Sequence, residues 1–245
     1  MPNYFIELVS QKMVAKDTVE FKFFKPTEFS YLAGQYGVWT IPNLSPIDEK
    51  GNHRDITFSS APIEKFLAIT TRMRNTSFKN WLSAAKPGDQ IEMEGPFGDL
   101  VLPKDTSFPI VFLAGGIGIT PFRSMSLQAG HDKNPTEIIL FFFDKSPEDM
   151  AYLEDLKILS STNFQFQLIP IITKPDKSWA GETGYLTKEL LKKYLEPLPA
   201  GRQVQLNSYL YLVAGSPAMV DAIQNTLSEA GIPPEQVVGE NFGGY

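Results

Sequence analysis

Between Phe112 and Pro121 the chain reads Phe-Leu-Ala-Gly-Gly-Ile-Gly-Ile-Thr-Pro. An apolar run meets three glycines (Gly115, Gly116 and Gly118), and Thr120-Pro121 then opens a helix. Pro121 suits a first helical turn, where a missing N–H costs nothing. Glycines at such a junction let a dinucleotide backbone approach closely, and the helix start offers free N–H groups to a pyrophosphate. The spacing is not G-x-G-x-x-G, and a tight strand-to-helix turn without a ligand would use the same residues. A second junction repeats the pattern: the apolar run 210–214 enters Gly215-Ser216-Pro217-Ala218-Met219. Two such turns in one parallel sheet would both lie at the carboxyl ends of strands, where open α/β sheets hold their ligands. A dinucleotide crevice is the leading expectation.

Two further segments carry polar groups at useful spacing. Arg54-Asp55-Ile56-Thr57-Phe58-Ser59-Ser60-Ala61-Pro62 sets an arginine ahead of closely spaced hydroxyls on a predicted strand. Arg54 could hold a phosphate through charge-assisted bonds, and the hydroxyls could meet a polar ring edge. A surface arginine beside a serine-rich strand end has the same sequence. Arg74-Asn75-Thr76-Ser77-Phe78-Lys79-Asn80-Trp81-Leu82 predicts a helix behind Thr76 or Ser77 as N-cap. That helix offers another anion site, whether or not Phe78 and Leu82 also serve the core.

Missing residue types narrow the chemistry. With no cysteine, the chain has no disulfide, thiolate nucleophile or thiolate-held iron–sulfur cluster. The only histidines, His53 and His131, lack partners at metal-ligand spacing and read as loop residues. The net charge is −6 and the pI about 5.1, which gives no support to nucleic-acid binding. The first residues, MPNYFIELVSQK, lack the basic and apolar regions of a signal peptide. The longest apolar run, Ile138 to Phe143, is too short to span a bilayer. A cytoplasmic protein without a membrane span is expected.

The elements that must position these residues fall into two textures. Up to about residue 103, short alternating runs sit between turn residues: 19–23, 37–41, 66–70 and 90–93, with a helix over 77–85. Many short strands predict a small antiparallel barrel or sandwich. Beyond residues 103–108, apolar strands (109–114, 138–143, 164–172, 209–214) alternate with helices (147–159, 187–195, 217–230). This predicts an α/β domain with a doubly wound parallel sheet. Hydrophobic residues make up 42% of the 245 residues, enough for two cores.

The order of the motifs is more specific than any one of them. Arg54-x-Ile56-Thr57 with Ser60-x-Pro62 comes first, then the Thr76/Ser77 helix start and Gly95-Pro96-Phe97-Gly98. The Gly115–Pro121 turn, Gly215-Ser216-Pro217-x-Met219 and the closing Glu240-Asn-Phe-Gly-Gly-Tyr245 follow. Over about residues 5–245 this succession resembles the ferredoxin–NADP(+) reductase family in its broad sense, which includes oxygenase reductase modules and cytochrome b5 reductase. The resemblance implies an FAD-binding antiparallel β-barrel over 1–104 and an NAD(P)-binding α/β domain over 105–245. It implies hydride transfer from NAD(P)H to FAD, with electrons passed to an unidentified acceptor such as a separate redox protein.

By the same resemblance, Arg54 would neutralise the FAD pyrophosphate, assisted by Thr76, Ser77 and Phe78. The Thr57 hydroxyl would face the flavin edge where the hydride arrives, and Ile56, Ile69 and Thr71 would line the flavin seat. Gly115, Gly116, Gly118, Ile119, Thr120 and Pro121 would cradle the nicotinamide half, with Thr120 near the ring. Gly215, Ser216, Pro217 and Met219 would form the opposing wall. Asp144 and Lys145 would lie near the adenosine ribose, one suited to a 2′-hydroxyl and the other to a 2′-phosphate, so NADH and NADPH are equally expected. Tyr245 would cover the flavin face until nicotinamide displaces it, and Glu240 would hydrogen-bond within the site. Ile56 stands where the family usually has Tyr or Phe, and Ala214 stands where it has Cys, which implies slower hydride transfer. These departures keep an alternative open: a flavin-binding electron-transfer or regulatory subunit of a larger complex. A cofactor-free module on the same fold is a further reading.

Overall fold

A computed structural model describes residues 2–105, 108–196 and 205–243. By packing, the chain divides into two units. One holds the described residues up to Leu102 together with Thr120–His131, and the other holds the described residues of Pro103–Ile119 and of 132–243.

In the first unit, six strands pair antiparallel: β1 (Asn3–Ala15), β2 (Thr18–Phe24), β3 (Tyr36–Thr40), β4 (His53–Thr57), β5 (Phe66–Arg72) and β6 (Gln90–Phe97). Their order is β4-β3-β6-β1-β2-β5. A bridge between Phe58 and Ile69, with Ser59 N–H donating to Ala68 O at 2.8 Å, joins the two ends of that order. The barrel therefore closes, and closure removes exposed strand edges. Alternate residues turn inward, so Phe21, Phe23, Trp39, Phe58, Leu67, Ile69, Ile91 and Met93 form the core. Helix α1 (Ser77–Ala84) adds Phe78 and Leu82 to that core. Its N-cap is Thr76, whose hydroxyl accepts from Lys79 N–H at 3.3 Å.

The second unit carries a parallel sheet of β7 (Ile110–Gly115), β8 (Ile138–Asp144), β9 (Phe166–Ile172), β10 (Glu182–Thr183), β11 (Leu210–Gly215) and β12 (Val237–Asn241). Its order is β10-β9-β8-β7-β11-β12. Every residue of β7 and β8 is buried, which is why both read as unbroken apolar runs. Among the described residues, the α-helices after α1 are α2 (Ile119–His131), α3 (Leu153–Thr162), α4 (Lys188–Leu195) and α5 (Pro217–Glu229). From β7 the strand order grows outward through β8, β9 and β10, then resumes on the other side of β7 with β11. The order reverses between β7 and β11, which makes that junction the topological switch point.

Three local expectations need correction. The helix expected over 147–159 is broken: a 3₁₀ turn at Pro147–Asp149 ends, and Tyr152 adopts a left-handed φ of 63° before α3 begins. His53 opens β4 and His131 closes α2, so neither is a loop residue. The strands β1, β10 and β12 went unanticipated. Among the described residues no helix is long and apolar enough to cross a membrane, and no group of three or more potential ligands could hold a metal.

Candidate functional site

Gly115 and Gly215 end the two strands that flank the switch point, in register through Ala114 and Ala214. Both backbones approach so closely that a Cβ on Gly215 would lie 3.4 Å from the Gly115 Cα. A Cβ on Gly118 would lie 2.2 Å from the carbonyl oxygen of Ala214, so only glycine lets this turn pack on β11. Gly116 takes a left-handed φ of 54° to redirect the chain into a 3₁₀ turn and then α2. Ile119, Thr120 and Pro121 form the buried first turn of that helix. Across the switch point, Ser216 caps α5 with Pro217 in its first turn, and both are exposed. Met219 is half-buried with its thioether against Gly115, where a Cβ would lie 1.8 Å from Sδ.

Two acidic residues share this edge. Asp144 ends β8, is 8% exposed, and its Oδ1 accepts from Lys145 N–H at 2.8 Å. The Lys145 side chain is exposed. Glu240 pairs with Ala214 on β12, and its Oε2 is buried without a hydrogen-bond partner. Burial pushes the Glu240 carboxyl up to about 7. The Phe242 N–H donates to Gly215 O at 2.9 Å, which ties the residue after β12 to the glycine. Tyr245 lies outside the described residues.

The barrel presents a second cluster. Arg54 projects from β4, and its Nη1 donates to the carbonyls of Lys50 at 2.7 Å and His53 at 2.5 Å. The guanidinium lies 5.2 Å from the centroid of the Phe78 ring. Its Nη2 is buried without a partner, as is the Thr71 hydroxyl on β5. Ile56, Thr57 and Ile69 are buried, and Phe78 is fully so. Phe78 has no exposed surface and packs in the barrel core. Ser77 N–H, in the first turn of α1, donates to Asp48 Oδ2 at 2.6 Å.

Sequence reasoning overlooked several members of this cluster. Lys79 is 3% exposed, donates to Arg72 O at 2.8 Å, and is pulled down to about 8 by burial and by Arg54, Arg74 and Lys50. Its place three residues after Thr76 was the available signal. Asp48 gave none, since it is 29 residues from Ser77. Nor did the buried network around Ser59 and Ser60. There Arg123 Nη1 donates to Ser59 O at 2.7 Å and to Glu64 at 2.9 Å, and Ser124 donates to Ser60 O at 2.6 Å. Tyr31 OH lies 2.9 Å from Ser60 O, and burial pushes its phenol well above the usual range.

Residues 112–225 match the family model of an oxidoreductase NAD-binding domain. One subunit of the Na(+)-translocating NADH-quinone reductase of Mannheimia succiniciproducens is 28% identical over 93% of this chain and 57% of its own length. Its counterpart from Yersinia pestis (strain Pestoides F) is 31% identical over 67% of this chain and 40% of its own length. The ferredoxin NADP+ reductase of Neisseria gonorrhoeae, with bound FAD and NADP, superposes with a TM-score of 0.80 at 22% identity, covering 98% of each chain. The chain carries an oxidoreductase NAD-binding domain and has the two-domain fold of the ferredoxin NADP+ reductase it superposes on. The chain spans about 40% of the length of the first curated relatives it matches. Its antiparallel barrel and parallel sheet are those of that fold. At Ile56 it places an aliphatic side chain that is 2% exposed, and Ala214 is fully buried.

Proposed function

We propose that this chain is a flavin-dependent NADH oxidoreductase that moves a hydride from NADH to FAD and passes the electrons to a separate acceptor. The observation that carries the reading is the pairing, in one chain, of a barrel seat with orphaned buried donors and a parallel sheet whose switch point is built from glycine.

The residues fit FAD. A buried guanidinium nitrogen and hydroxyl without partners are costly unless a ligand satisfies them, and Arg54 Nη2 and Thr71 Oγ1 are such groups. Arg54, with the N–H groups of the first turn of α1, would hold the pyrophosphate. Thr57 would present a hydroxyl to the polar edge of the ring, and Ile56 beside it would give apolar contact. When bound, FAD supplies a hydride acceptor that can release electrons singly or in pairs.

At the sheet edge, the glycines of residues 115–118 and Gly215 would admit the backbone of the nucleotide, with Ile119, Thr120 and Pro121 on one side and Ser216, Pro217 and Met219 on the other. Asp144 favours NADH, because a strand-end carboxylate accepts from ribose hydroxyls and repels a 2′-phosphate. Lys145 N–H holds that carboxylate in place. Both curated relatives belong to an NADH-quinone reductase, which supports the same choice. Glu240 would donate from its protonated form near neutral pH. The same proposal puts the chain in the cytoplasm, where reduced nucleotide is supplied.

The test is direct. FAD-loaded protein given a ferricyanide acceptor should turn over with NADH at a much higher kcat/KM than with NADPH, and Asp144→Ala should narrow the gap. Equal rates with both nucleotides would remove the NADH assignment. A second reading, an electron-input subunit within a larger assembly, is favoured by the relatives being subunits that extend well beyond the matched region. Tight FAD binding with negligible turnover by the isolated chain would favour it.

A further inference from the structure

The loop between β3 and β4 folds a carboxylate onto the end of the helix that should receive the flavin's phosphates. Asp48 Oδ2 accepts from Ser77 N–H at 2.6 Å, and its Oδ1 accepts from Lys50 N–H at 2.9 Å. Lys50 O in turn accepts from Arg54 at 2.7 Å, so one short loop ties the acid, the arginine and the helix together. Arg54 acts on the Asp48 carboxyl directly, and Lys50, Arg54 and Arg74 all lie near enough to Lys79 to lower its pKa, so positive charge gathers at this end of the barrel. The Asp48 carboxyl is held below its ordinary range, first by the Ser77 N–H and further by Lys50 N–H and Arg54. It is therefore ionised at neutral pH.

Helix N-termini and arginine forks bind whichever anion is at hand, and they cannot give the same N–H to two acceptors at full strength. We infer that Asp48 is a resident stand-in anion: it occupies the α1 terminus while the seat lacks flavin and must swing away when a pyrophosphate takes that N–H. This rests on the barrel being the FAD seat. Asp48 then weakens FAD binding and slows its entry, while its bonds to Ser77 and Lys50 steady the apoprotein. The hinge is available, since residues 42–52 contain no strand or helix and Asp48 is only half-buried.

Asp48→Asn keeps the size of the side chain and an oxygen for Ser77 N–H but removes the charge. Apoprotein titrated with FAD, read by quenching of flavin fluorescence, should show a Kd lowered about threefold to tenfold and a faster association rate. Riboflavin, which has no phosphate, should bind both proteins equally. Without flavin, the variant should melt at a lower temperature than wild type, and with saturating FAD the two should melt together. Asp48→Ala supplies the same comparison should the asparagine protein be poorly folded. FAD affinity that is unchanged or weaker in both variants would overturn the inference, as would an equal gain in riboflavin affinity. If wild type and variants alike fail to bind FAD, the flavin seat itself falls and the inference with it. Ordinary FAD binding by wild type with no gain in the variants removes only the role of Asp48.

Discussion

Replacing Gly118 by alanine should break the nucleotide edge in a way that replacing Gly115 should not. The φ of Gly118 is outside the left-handed region, so the cost is one of space. A Cβ there would lie 2.2 Å from Ala214 O, 2.5 Å from Ala214 C and 2.8 Å from Gly215 N. All three are backbone atoms of a central strand, and they can yield only if β11 shifts. The expected loss is about 3 kcal/mol, at the upper end of overpacking costs. For a chain of this size that lowers Tm by about 6–12 °C. At Gly115 the nearest atoms belong instead to one flexible side chain, Met219 Sδ at 1.8 Å and Cε at 2.7 Å. Gly115→Ala should cost about 1 kcal/mol, and in a Met219→Ala background less than about 0.5 kcal/mol. Calorimetric melting of wild type, the three single variants and the Gly115→Ala/Met219→Ala double variant, with NADH titrations alongside, measures both effects. A Gly118→Ala protein melting within about 2 °C of wild type would refute the packing argument. So would a Gly115→Ala defect that Met219→Ala leaves unrelieved.

Other outcomes follow from the same structure. Arg54→Ala should weaken FAD binding by about 1.5–3 kcal/mol, roughly 10- to 150-fold in Kd, and full flavin occupancy after dilution would contradict it. Glu240 has its folded pKa raised to about 7 by burial. Its folded form therefore holds a proton that the unfolded chain releases, and stability falls as pH rises from about 4.5 to 7. Glu240→Gln should thus be more stabilising at pH 8 than at pH 5, by about 1–2 kcal/mol after solvent screening. A pH-independent difference in denaturant melts would exclude that. Arg123→Met should cost about 2–4 kcal/mol, because it strands the Glu64 carboxylate and Ser59 O, and Glu64→Gln should recover part of the loss. No recovery in the double mutant would show that the pair is not coupled.

The elements that announced themselves were those whose local chemistry and final environment agree. β7 and β8 are buried throughout and read as apolar, and Pro121 and Pro217 mark helix starts where proline is tolerated. β1 escaped notice because its second half is largely exposed and shows no clean alternation. β12 is a short, mostly exposed edge strand that exists by pairing with β11. The helix break at Tyr152 is a backbone choice that no apolar pattern encodes. In the site, Arg54, Thr76 and the glycines could be read from motif and spacing. The partners of these residues could not: Asp48 reaches Ser77 across 29 positions and Arg123 reaches Glu64 across 59. Such pairs are fixed by barrel closure and helix packing rather than by neighbours in sequence.

The central claim is that one chain accepts a hydride from NADH onto its own FAD. FAD-reconstituted protein mixed anaerobically with one equivalent of NADH should lose its flavin absorbance near about 450 nm as one equivalent of NAD+ appears. A fully flavinated protein whose absorbance stays unchanged with NADH, and with NADPH, would contradict it.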